Sequence, residues 1–164
     1  GFGNTGSQLA KKLSGFDCKI LAYDKYLKNY ETSNVKESNI DEILAKAEII
    51  SFHVPLTEET HHLIDKAFIE KCQHKPLIVN AARGEVCNTP DLLWALENDK
   101  IRGCCIDVFE DEPISKNGVH SKDLYQKIMT FNNVIVSPHI AGWSFEAKKN
   151  MVEILMNRID EFLA

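Results

Sequence analysis

Short apolar, β-branched runs alternate with amphipathic stretches along the chain. "CKILAYD" (18–24), "EIISFHV" (48–54), "PLIVNAA" (76–82), "GCCIDVF" (103–109) and "NVIVSP" (133–138) read as strands. They are continuously apolar rather than alternating, the pattern of strands covered on both faces. Between them "NIDEILAKA" (39–47), "IDKAFIEKC" (64–72), "TPDLLWALEND" (89–99) and "SKDLYQKIMTF" (121–131) read as helices. Asn39 and Thr89 suit N-cap positions, and Pro90 suits a first helical turn. The final stretch repeats apolar residues at Met151, Val152, Leu155, Met156, Ile159, Phe162 and Leu163, a helical stripe. This order predicts an α/β fold with a doubly wound parallel sheet. In such sheets ligands bind beyond the carboxyl ends of the strands. The long polar loop "EDEPISKNGVH" (110–120) follows one of those ends.

A chain of 164 residues holds one domain with a real core and is too short for two ordinary ones. The net charge of −5 argues against nucleic acid as a partner, since such surfaces carry a basic excess. No apolar run reaches the roughly 18 residues that span a bilayer, so no membrane role is expected. The five cysteines are odd in number and lack C-x-x-C spacing, which disfavours a disulfide framework and a zinc site. Cys104 and Cys105 read as small buried hydrophobes, and a reducing cytoplasm is the expected location. No metal site is expected.

The opening "GFGNTGSQLAKKL" changes the picture. Gly1, Gly3 and Gly6 form a G-x-G-x-x-G pattern: one glycine for a tight turn, one for close approach to a pyrophosphate, one for close helix packing. A helix from about Thr5 to Leu13 would aim its free amides and positive dipole end at the phosphates. Three glycines in a small window also mark ordinary turns. Asp24, eighteen residues beyond Gly6, ends the next strand, where a carboxylate accepts the adenosine ribose hydroxyls and selects NAD over NADP. No strand precedes Gly1, although in a doubly wound fold that strand lies mid-sheet. The first strand is therefore expected to be missing, and the chain to be part of a longer protein that folds poorly without it.

Three further stretches carry chemistry: "VNAARGEV" (79–86), "CCIDVFEDEP" (104–113) and "VSPHIAGWS" (136–144). With "GFGNTGS", "YD" and "HVPLTEETHHLI" they make the chain resemble the NAD-binding part of the D-isomer-specific 2-hydroxyacid dehydrogenases, over nearly its whole length. "AYDKY" and "HIAGW" are most similar to a branch labelled D-3-phosphoglycerate dehydrogenase. The resemblance implies a Rossmann-like NAD-binding domain over 1–142. It implies that helix 143–164 leads back toward a substrate domain absent here. It implies catalytic roles for Arg83, Glu112 and His139: an arginine on the substrate carboxylate and 2-oxygen, an acid, and the histidine that acid pairs with. Asp107 matches the acid that receives the nicotinamide carboxamide. Asn4 and Thr5 match the pyrophosphate turn. Val54, Pro55, Ala81 and Ala82 match backbone and packing positions along the cofactor, and His139, Ala141 and Gly142 its other side. NAD is the implied cofactor, a small 2-hydroxy or 2-keto acid the implied substrate, and a homodimer the implied assembly.

The residue types suit the chemistry. Hydride leaves C2 of a hydroxy acid only as the hydroxyl proton leaves, so a base titrating near neutrality is needed, and histidine supplies it. A neighbouring carboxylate orients the ring and favours its charged form. A planar guanidinium grips a carboxylate at two points and polarises the carbonyl in reverse. Taken singly, Arg83 reads as a surface turn arginine, Glu112 as a loop acid, and His139 as a structural histidine. His53, His61, His62, His74 and His120 are assigned to that structural class. Asn88 stands where the family often has an acid. Two alternatives remain: formate dehydrogenases, which the acid at 112 argues against, and NAD-sensing corepressors of the same family, which keep much of the catalytic set. A glyoxylate or hydroxypyruvate reductase is the alternative closest to the first reading.

Overall fold

The computed structural model describes residues 1–111 and 119–163, with side chains described outside 112–122. Its elements run α1 (Asn4–Leu13), β1 (Ile20–Ala22), β2 (Val35–Glu37), α2 (Ile40–Lys46), β3 (Ile49–Phe52), α3 (Lys66–Glu70), β4 (Leu77–Asn80), a 3-10 turn (Gly84–Val86), α4 (Thr89–Glu97), β5 (Gly103–Ile106), α5 (Val119–Ile128), β6 (Val134–Val136) and α6 (Phe145–Leu163). Every strand pairing is parallel. Strands β1 and β2 form one sheet, and β3-β4-β5-β6 form another. Set side by side as β2-β1 and β3-β4-β5-β6, they give the doubly wound order 3-2-1-4-5-6 extended by a seventh strand, β6, with its central position unfilled among the described residues. Residues 1 and 2 lie between the two strand ends. The Phe2 amide donates to Asp24 beyond β1 at 2.8 Å, and a Cβ on Gly1 would run into the His53 carbonyl beyond β3.

The register lines up the carboxyl ends of the larger sheet, pairing Phe52 with Asn80, Asn80 with Ile106, and Ile106 with Val136. The segments that follow these four residues therefore converge on one edge.

The core lies on one face of this sheet. Ile50, Phe52, Ile78, Cys104 and Ile106 meet Ile69 of α3, Leu92, Leu93 and Leu96 of α4, and Tyr125 and Ile128 of α5. The opposite face is less covered: Ile49 is 60% and Ile135 67% exposed, and Ser51, Val79 and Cys105 are half-buried. The expectation of strands covered on both faces is thus met on one face of the described structure only. Apolar residues on the second face record a tendency to be covered, and burial depends on which elements pack there. A smaller cluster joins α1 to the two-stranded sheet through Ala10, Ala22 and Val35, with Phe2 stacked on Tyr30.

Several local expectations shift. Asn39 caps α2 by accepting the Glu42 amide. The cap of α4 is Asn88, whose side chain accepts the Asp91 amide, so Thr89 is the first helical residue and not the cap. Both types cap well, and the one-residue difference follows from Thr89 turning inward to Tyr125. Strand β2 has no sequence signal, because "VKE" holds one apolar residue; Val35 is buried and the rest is fixed by pairing with β1. Cys87 and Cys104 are buried, and burial pushes the Cys104 thiol up to about 12. Helix α6 is the clearest departure: its stripe does not pack on the sheet, with Met151 61%, Leu155 59% and Phe162 90% exposed. Among the described residues no helix is long and apolar enough to cross a membrane, and no group of three or more His, Cys, Asp or Glu is placed to hold a metal ion.

Candidate functional site

The glycine turn has the shape its spacing predicts. A Cβ on Gly6 would strike the Gly1 carbonyl, so only glycine lets α1 start this close to the turn. A Cβ on Gly3 would meet nothing within 4 Å, so the turn is open on its outer side. Gly3 is the N-cap of α1 and gives no side-chain cap; the first ladder bond runs from the Ser7 amide to the Gly3 carbonyl at 3.0 Å. The amides of Asn4, Thr5 and Gly6 precede that bond at the positive end of the helix, and no acid occupies the first turn. Asn4 and Thr5 are exposed. An open turn with free amides fits a pyrophosphate.

Asp24 stands across from this turn. Its Oδ2 accepts the Phe2 amide at 2.8 Å, and its Oδ1 accepts the amides of Tyr26 at 2.9 Å and Leu27 at 3.0 Å. Burial by itself would raise its pKa, but these backbone donors outweigh burial and hold the carboxyl below its ordinary value. It is ionised at neutral pH and fixed in orientation. Each carboxylate oxygen has two acceptor directions, so Oδ2, with one bond, has room for a ribose hydroxyl. Asp24→Ala in the full-length protein is expected to narrow the preference for NAD over NADP, measured as a ratio of kcat/KM values. An unchanged ratio counts against the assignment.

The Arg83 loop is shaped by a residue the sequence reading did not single out. Asn80, 1% exposed at the end of β4, accepts the Ala82 amide at 3.1 Å and donates to the Arg83 carbonyl at 2.9 Å. This side chain replaces the ladder partners lost at the strand end and folds residues 80–83 into a tight turn. Arg83 is exposed, and its guanidinium donates to the Ala82 carbonyl at 2.6 Å. Ala82 is buried and Ala81 exposed beside it. Val54 and the exposed Pro55 follow β3 at the neighbouring strand end, where His53 shares a 2.9 Å hydrogen bond with Ser51.

The His139 turn hangs on Asp107. This aspartate is 6% exposed, and its Oδ1 accepts the Ser137 hydroxyl at 2.5 Å and the Ile140 amide at 2.9 Å. Its Oδ2 accepts the Ala141 amide at 2.9 Å, and its carbonyl takes the His139 amide at 2.8 Å. Burial would raise the Asp107 pKa, but the Ser137 hydroxyl, the two amides and nearby His139 together lower it. His139 itself is exposed, in left-handed backbone with φ 54°. The structure thus gives Asp107 a turn-building role that the sequence reading had not assigned. Ser137 is the second missed partner. Ala141 and Gly142 are exposed beyond the turn. Glu112 lies outside the described residues.

Arg83, Asp107 and His139 therefore follow three adjacent parallel strands, β4, β5 and β6, and the glycine turn and Val54 sit at the same edge. The family pattern described as "D-isomer specific 2-hydroxyacid dehydrogenase, NAD binding domain" matches residues 1–141. A glyoxylate reductase of Thermofilum pendens is 40% identical over 157 residues, which cover 94% of this chain and 44% of that protein. A D-lactate dehydrogenase of Staphylococcus aureus is 39% identical over 159 residues, covering 93% of this chain and 48% of that protein. A crystal structure of D-lactate dehydrogenase from Aquifex aeolicus, complexed with NAD and lactic acid, superposes with a TM-score of 0.83 at 32% identity, covering 99% of this chain and 51% of that one. The chain spans about half the length of the relatives it matches.

Proposed function

Because this chain belongs to the D-isomer-specific 2-hydroxyacid dehydrogenases and matches their NAD-binding domain, we propose that the protein carrying it interconverts a D-2-hydroxy acid and its 2-keto acid. The observation that carries the reading is the convergence of Arg83 and His139 on the strand-end edge that also bears the open glycine turn and Asp24. When bound, NAD supplies the hydride acceptor or donor.

This chain's residues supply the rest. The amides of Asn4, Thr5 and Gly6 would hold the pyrophosphate, Asp24 the ribose, and Oδ2 of Asp107, which accepts one bond, the carboxamide. Val54, Pro55, Ala81, Ala82, Ala141 and Gly142 would line the cofactor. Arg83 would release the Ala82 carbonyl and grip the substrate carboxylate and 2-oxygen. His139 would take the hydroxyl proton in oxidation and return it in reduction, with Glu112 favouring the charged ring. Residues 1–142 would form the nucleotide domain, and 143–164 would lead back toward the substrate domain.

The substrate is a short 2-keto or 2-hydroxy acid. Relatives named for glyoxylate and D-lactate support small acids, and D-3-phosphoglycerate and hydroxypyruvate complete the set to assay. The test is reduction of these acids by NADH in the full-length protein. Peptide binding without turnover would select the corepressor reading. Arg83→Ala is expected to raise the KM for the keto acid while leaving NAD affinity nearly intact. A cytoplasmic location and the absence of nucleic-acid and membrane partners complete the reading. So does a homodimer, supported by the exposed apolar stripe of α6. Sedimentation at micromolar concentration showing only monomer would exclude the dimer.

A further inference from the structure

Behind the Arg83 turn lies a side-chain network outside the chemistry described so far. His62 Nε2 is 2.6 Å from Oε1 of Glu110, and His62 Nδ1 is 3.2 Å from the amide nitrogen of Asn88. The Asn88 oxygen accepts the Asp91 amide, which turns its NH₂ toward the ring. An amide NH₂ only donates, so Nδ1 is the acceptor and Nε2 carries the hydrogen given to Glu110. The other Glu110 oxygen accepts the Thr89 amide at 2.6 Å, which places a carboxylate on the N-terminus of α4. The Glu110 amide donates to the Tyr125 hydroxyl of α5 at 2.6 Å, and that hydroxyl lies 3.0 Å from Thr89 Oγ1. The two side chains join three separate segments, and the Glu110 backbone ties in a fourth, α5.

The segment that follows Arg83 is held between them. The His62 amide donates to the Glu85 carbonyl at 2.8 Å, the Ile64 amide to Val86 at 2.9 Å, and the Asn88 amide to Ile64 at 3.0 Å. On the other side Gly84 lies flat against the segment that follows β5, where a Cβ would run into the Phe109 carbonyl and the Glu110 nitrogen. A bond between His62 and Glu110 closes this clamp.

We propose that His62 and Glu110 form a positioning pair that holds the Arg83 turn in place for the substrate carboxylate. The proposal rests on the reading of Arg83 as the substrate arginine. A fully exposed bond of this kind would do little, since water competes for both groups; here Glu110 is 17% and His62 33% exposed at the side chain, and each makes further bonds that fix its geometry. Neither touches the reacting atoms, so both act through Arg83.

The test uses the full-length enzyme with glyoxylate and pyruvate as probes. His62→Phe and Glu110→Ala are expected to raise the keto-acid KM by about tenfold or more, the scale of losing a hydrogen bond to a charged group, with the KM for NADH within about twofold. His62→Gln keeps an N–H donor and is expected to recover most of the loss. A lowered Tm with both KM values unchanged means the pair is only structural and overturns the proposal, as does a His62→Gln enzyme no better than His62→Phe. Hydrogen exchange decides the matter independently of turnover. Faster exchange at the amides of residues 84–89 than at those of 20–22 supports the clamp, and unchanged exchange there overturns it. A wild-type protein inactive on every 2-keto acid would sink the functional reading instead.

Discussion

Replacing His139 by alanine in the full-length enzyme is expected to lower kcat by about 10²–10⁴, the usual scale for losing a general acid–base. Oxidation needs the neutral ring to accept the hydroxyl proton, and reduction needs the charged ring to donate it. Oxidation is therefore expected to rise with pH and reduction to fall, with one group governing both limbs. Glu112→Gln is expected to cost less and to move both limbs to lower pH, because a neutral amide favours the imidazolium less than a carboxylate does. The exposure of His139 at a strand-end turn suits this exchange of protons with substrate. The measurement is kcat in both directions across pH for wild type and the two variants. Profiles that stay in place in Glu112→Gln reduce Glu112 to a loop acid. A His139→Ala enzyme within a few-fold of wild type removes the histidine from the chemistry.

Asp107→Ala is expected to destabilise the protein by about 3 kcal/mol, because a buried carboxylate with three charge-assisted bonds is lost and its donors are left behind. The Ile140 and Ala141 amides are near solvent and recover part of this by bonding water, which keeps the figure below the sum of three such bonds. A larger effect is expected on activity. His139 is a non-glycine residue at φ 54°, a conformation that costs energy unless its surroundings impose it. The bonds from Ser137, Ile140 and Ala141 to Asp107 impose it. Without them the turn relaxes and the imidazole leaves its place. The pH dependence has a definite sign. The Asp107 pKa is lowered by folding, so its stabilisation is complete above the ordinary aspartate value of about 3.9 and is lost as pH falls through the lowered one. Acid unfolding followed by circular dichroism is expected to show this loss in wild type and not in Asp107→Asn. Equal acid midpoints for the two proteins would remove Asp107 as the keystone of the turn.

Much of this architecture is written locally. The strands β3, β4 and β5 are apolar enough, and their flanking helices periodic enough, for composition along the chain to specify them. The glycine turn is equally local: Gly6 must be glycine because the Gly1 carbonyl lies where a Cβ would be, and five residues of chain suffice to bring them together. The placement of Asp24, Arg83, Asp107 and His139 just after strands was likewise legible, since parallel strands of a doubly wound sheet share one carboxyl edge.

The remainder depends on partners distant in the chain. Strand β2 exists because Val35 to Glu37 pair with Ile20 to Ala22, a register that one apolar residue cannot announce. Asp107 builds the His139 turn across sequence separations of 30 to 34. His62 reads alone as a structural histidine, and its link to Glu110 spans a sequence separation of 48. The stripe of α6 marks a face to be covered, while its exposure in the fold is decided by what packs there. Periodicity and steric need are properties of neighbouring residues, so sequence determines them. Hydrogen-bond partners and coverage are set where separate segments meet, and only the folded chain decides which side chains those are.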